Sequence, residues 1–131
     1  MRPIKLLLDS KVLLLIALTY SCIISGLFLM APTTLPKVNL SAVDKIAHVI
    51  IYFILIGLWQ GYFYIRDDFK LKANSIAVIF FIVLGYGIII EIVQELFTAN
   101  RHADVFDIIA NTVGAILGIV FFRMAKHNFK H

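Results

Sequence analysis

Four long apolar stretches leave this chain little choice but to cross a bilayer, because each is nearly free of charge over the length a helix needs to span hydrocarbon. Positions 12–30 carry no charged residue, and 46–65 carry only His48 as an ionisable imidazole. Positions 74–97 are uncharged until Glu91, and 105–124 hold no charge between Asp107 and Arg123. At about 1.5 Å per residue, about 20 helical residues cross a hydrocarbon core of about 30 Å. The chain of 131 residues is 61% apolar and only 15% charged, which sets it apart from soluble domains. The expected fold is therefore all-α: one integral membrane domain, 1–131, built as a four-helix transmembrane bundle with spans at about 12–30, 46–65, 74–97 and 105–124.

The basic residues orient it. Nine of the twelve Lys and Arg residues (Arg2, Lys5, Lys11, Arg66, Lys70, Lys72, Arg123, Lys126 and Lys130) fall on the side of the two termini. Only Lys37, Lys45 and Arg101 fall on the other, so short-loop positive charge predicts an N-in/C-in, multi-pass protein of the cell membrane. The net charge of +4 is accounted for by this asymmetry and gives no support to nucleic-acid binding. Leu29-Met30-Ala31 lacks the small-x-small pattern of an export cleavage site, so the first span is expected to stay in place. Cys22, the sole cysteine, has no internal disulfide partner and reads as an apolar core thiol.

Five of the eight acids, Asp44, Glu91, Glu95, Asp104 and Asp107, gather toward the outer side. Ser41-Ala42-Val43-Asp44 and Asp104-Val105-Phe106-Asp107 have the spacing of capping boxes that open the second and fourth helices. Along the third helix Gly87, Glu91, Gln94 and Thr98 share one face; on the fourth, Asp107, Asn111, Gly114 and Gly118 repeat that spacing, so the two stripes are expected to face each other. Gly114 and Gly118 read as a small-x-x-x-small contact within the chain, with homodimerisation as the alternative. Helical rise sorts the polar groups into a deeper layer of His48, Glu91 and Asn111 and a shallower one of Asp44, Glu95, Arg101 and Asp107.

Each polar group has an ordinary structural role open to it. Asp44 and Asp104 can cap helix starts, Glu95 can pair with Arg101 across the short loop, and Asn111 can tie helices together. His48 and Glu91 are the strongest functional candidates, since ionisable groups inside a membrane are costly. No HExxH or comparable ligand pair occurs, so neither a metal nor any other cofactor is expected. Glu91, His48 and Asp107 are the candidate acid/base groups, and helix starts with Lys45 and Arg101 offer an anion site in which the acids compete.

Asp44-Lys45-x-x-His48-x-x-x-Tyr52-Phe53, then Glu91-x-x-Gln94, then Arg101-x-x-Asp104-x-x-Asp107-x-x-x-Asn111-x-x-Gly114-x-x-x-Gly118 resemble, in order and spacing, the pattern of VanZ-like membrane proteins. The resemblance spans roughly 44–118, and it departs at Asn100, where a glycine would be expected before the arginine. It implies a small cell-envelope protein of a family whose named member is linked to low-level teicoplanin resistance; it implies no reaction. The binding residues it carries over are Asp44, His48, Glu91, Gln94, Arg101, Asp107 and Asn111. The leading expectation is a protein that binds or remodels a lipid-linked envelope component at the outer leaflet. An intramembrane acid/base enzyme and a purely structural or partner-binding protein are the alternatives. Membrane lipids are expected partners, and self-association or a membrane partner stays open.

Overall fold

The computed structural model describes residues 9–30, 41–67, 70–97 and 105–129. They form four helices: α1 (Ser10–Met30), α2 (Ser41–Arg66), α3 (Ala73–Phe97) and α4 (Val105–Phe129). All four are long and apolar enough to cross a membrane. α2 begins five residues before its apolar run and α4 ends five residues after its own, because hydropathy marks only the hydrocarbon-facing part of a helix whose backbone stays bonded into the interface. The loops expected at 33–40 and 98–104, and with them Thr98, Asn100, Arg101 and Asp104, lie outside the described residues.

Side-chain contacts give the topology. On α2, Lys45, His48 and Phe53 meet Asp107, Asn111 and Phe121 of α4 in ascending order on both, so α2 and α4 run parallel. His48 and Tyr52 of α2 lie level with Glu91 and Gly87 of α3, so these two run antiparallel. α1 runs opposite to α2 as well, with Phe28 stacked on the His48 ring and Ser21 beside Trp59. The bundle is up-down-up-down, and α2 is its centre, touching all three other helices.

The most extensive contact is between α2 and α4, and glycine creates it. A Cβ on Gly114 would run into the Val49 carbonyl, with its carbon and the Val49 Cα both at 3.0 Å; one on Gly118 would meet Ile56 and the Phe53 carbonyl oxygen at 2.9 Å. Absence of side chains there lets two backbones approach, which in lipid is where packing energy comes from. The expected small-residue contact is thus made within the chain, but against α2. α3 does meet α4 where Gly87 faces the Asn111 amide; the Gly114–Gly118 end of the stripe turns to α2 instead.

Hydroxyl and amide groups tie α1 to the rest. Tyr20 donates to the Ile51 carbonyl at 2.9 Å, Tyr86 to the Ser21 carbonyl at 3.0 Å, and Ser25 shares a short hydrogen bond with the Tyr86 hydroxyl. Cys22 corrects its expected place in the core: it is exposed on α1. A thiol is apolar enough to face lipid, so hydrophobicity alone could not choose the side.

Candidate functional site

Polar side chains that are buried inside an apolar bundle need partners; Gln60 donates to the Ile56 carbonyl within α2 at 3.3 Å, and the other buried ones gather at one end, where α2 and α4 begin and α3 ends. His48, Glu91, Gln94 and Asn111 are all buried there. The His48 ring holds the centre. Its Nδ1 lies 2.9 Å from the Asn111 side-chain oxygen, an acceptor only, so Nδ1 carries the proton and donates. Its Nε2 points toward the Asp107 carboxylate, 3.7 Å away, and its face stacks on Phe28 with ring centroids 4.9 Å apart. Three contacts on three sides fix the ring's orientation.

Around it the charges converge. Donor atoms of His48, Glu91 and Asp107, one each from α2, α3 and α4, all lie within 4.8 Å of one another. Lys45, one turn before His48 on the same face of α2, forms an ion pair with Asp107. Below this group, Asn111 Nδ2 and the Tyr52 hydroxyl crowd Gly87, where a Cβ would sit 3.0 and 3.1 Å from them. Gly87 therefore makes the room in which the α2, α3 and α4 side chains meet.

The expected layers change in one respect. Asp107 does not stand apart at a shallower level; its carboxylate joins His48 and Glu91. His48 sits between the levels of Asp107 and Asn111 on the parallel α4, so its two ring nitrogens bridge what backbone rise alone would separate. Glu95 is exposed on α3. Gln94 is buried one turn from Glu91 and donates to the Phe28 carbonyl of α1 at 2.6 Å, so that side chain fastens the wall of the site. Asp44 lies in α2, but its side chain is not among those described, and Arg101 is outside the described residues.

One contributor was not evident from sequence, and one contact was only partly so. Phe28, which stacks on His48, is one of many apolar residues in its helix and carries no signal of its own. The pairing of Lys45 with Asp107 was partly legible, because Lys45 precedes His48 by three residues and so shares its face.

Four helices long and apolar enough to span a membrane, with His48, Glu91, Gln94 and Asn111 buried together near one end, define a small multi-pass membrane protein with a buried polar cluster. The family model described as VanZ/LLP1 matches residues 8–126, and the chain belongs to that family. No curated protein and no solved structure matches it.

Proposed function

We propose that this VanZ-family protein sits in the cell membrane with both termini in the cytoplasm and uses its polar site to bind the headgroup of a lipid-linked envelope component in the outer leaflet. Nine against three basic residues supports that orientation. The observation that carries the reading is the meeting of Lys45, His48, Glu91, Asp107 and Asn111, from three helices, at one end of an otherwise largely apolar bundle. Burying this much polarity costs stability that aliphatic packing would not, so the site is retained for what it contacts. Carboxylates accept hydrogen bonds from sugar hydroxyls or amides, and Lys45 at the rim supplies a cation for phosphate. By holding or remodelling such a component the protein would lower sensitivity to teicoplanin-type glycopeptides without touching the drug.

The test is expression of wild type, Glu91→Gln and His48→Ala in a teicoplanin-susceptible host. Wild type is expected to raise the inhibitory concentration, and both variants, at equal membrane abundance, to lose that effect. Unchanged sensitivity and unchanged envelope lipids with wild type would overturn the proposal. A catalytic reading draws on the same His48 and Asp107 proximity, with Glu91 or Asp107 as general base. It requires turnover of envelope lipids by the purified protein, abolished by Asp107→Asn.

A further inference from the structure

The geometry points to a divalent cation site formed by His48 Nε2 and the carboxylates of Glu91 and Asp107, in which Lys45 is a tethered counter-ion that the metal displaces. The first support is the donor set. One imidazole nitrogen and two carboxylate oxygens, converging from three helices within 4.8 Å of one another, suit a first-row ion between Mn2+ and Zn2+. Bonds of about 2.1 Å in a tetrahedral site place donor atoms about 3.4 Å apart. The 3.7 Å between His48 Nε2 and Asp107 Oδ1 is already near that value, and a Glu91 carboxylate oxygen lies within 4.8 Å of both partners.

The second support is independent of the cluster's composition. A metal-binding imidazole uses one nitrogen for the ion and donates its other N–H to a fixed acceptor, which sets tautomer and ring direction. Asn111 is that acceptor: it takes the Nδ1 proton at 2.9 Å and leaves Nε2 as the nitrogen turned to the carboxylates. Phe28 stacked on the ring removes the remaining freedom.

The third support is charge. Among the described residues the carboxylates of Glu91 and Asp107 converge on one imidazole nitrogen, and in a low-dielectric setting a doubly charged ion draws two such carboxylates together more strongly than a single ammonium does. The Lys45 side chain is 28% exposed, against 7% for His48, so its long stem gives Nζ a route toward the interface when a metal takes its place beside Asp107. The search for a metal motif along the sequence fails because no two of these ligands share a helix. The cation site uses the residues of the proposed headgroup site, but it requires no lipid-linked ligand, so the two stand or fall separately.

The experiment is calorimetric titration of the purified protein in phosphatidylcholine nanodiscs with Zn2+ and with Mn2+, paired with metal analysis after gel filtration. One ion per chain is expected. Glu91→Gln and Asp107→Asn are expected to weaken binding at least 10-fold, and Asn111→Ala about 10- to 100-fold by releasing the ring. Lys45→Met is expected to tighten it, a result that merely structural carboxylates would not give. His127→Ala/His131→Ala, with helix content checked by circular dichroism in every variant, is expected to leave it unchanged. Absence of a retained ion in wild type, binding insensitive to Glu91→Gln and Asp107→Asn, or weaker binding in Lys45→Met would each overturn the assignment. The Co2+ complex adds a readout, since its visible bands shift when an imidazole ligand is lost in His48→Gln.

Discussion

At the scale of single residues, the polar cluster is held by side chains that differ in kind: Phe28 fixes the His48 ring by stacking, and Gln94 fastens α3 to α1 through one hydrogen bond. Asp107 starts one turn from Asn111, as helical rise places it, but rise locates a Cα and ignores the reach of a carboxylate and the width of an imidazole ring, so its carboxylate still joins His48 and Glu91. Gln94 gives a test that separates wall from site. Its amide hydrogen bond to the Phe28 carbonyl joins α3 to α1 at 2.6 Å. Such interhelical bonds in membranes are worth about 0.6 kcal/mol on average and about 1.7 at most. Gln94→Leu is expected to lower unfolding stability in detergent by about that much while Glu91→Gln, which touches the cation site, changes metal binding far more than stability. Thermal melts beside the metal titration read both.

At the scale of helices, the spans were legible and their pairing was not. Four-residue glycine spacing occurs twice, at Gly57 with Gly61 and at Gly114 with Gly118, and sequence cannot rank the two. The structure ranks them: a Cβ at Gly57 or Gly61 meets nothing within 4 Å, whereas at Gly114 it strikes the backbone of α2. The matched stripes on α3 and α4 meet in part, Gly87 with Asn111 and Glu91 with Asp107, while Gly114 and Gly118 turn to α2 for a related reason. Spacing defines a face, but which neighbour that face meets depends on the parallel α2–α4 pairing, a non-local outcome. Gly114→Ala is therefore expected to destabilise the bundle by about 1–3 kcal/mol through overpacking, and to shift Lys45 and His48 away from Asp107 and Asn111. Gly57→Ala is expected to leave the melting temperature unchanged or to raise it, since alanine is the better helix former. Equal losses for both substitutions would contradict the α2–α4 contact.

At the scale of the whole molecule, the distribution of large apolar side chains defines what surrounds the protein. Leu15, Phe81, Leu96 and Phe121 are each more than half exposed, on α1, α3, α3 and α4 respectively, so the outer surface is oily on several sides. A soluble protein rarely carries such surface, while in lipid it costs nothing. The buried cluster of His48, Glu91, Gln94 and Asn111 is the exception to that apolar pattern, and it lies near one end of the helices. Phe81 tests the arrangement. It is 67% exposed and lies eight residues into α3, about 12 Å along the helix. In water, Phe81→Arg would remove exposed apolar surface and leave the fold intact. Near the middle of a span, arginine raises the cost of insertion by about 2.5–3.5 kcal/mol, and rotating α3 to hide it would pull Glu91 out of reach of His48. The expected result is reduced membrane insertion of Phe81→Arg, with metal binding lost in the fraction that does insert, while Phe81→Leu retains both. Normal insertion and normal metal binding by Phe81→Arg would mean that this face of α3 is turned toward water, and that the site is reached from the side of the bundle as well as from its end.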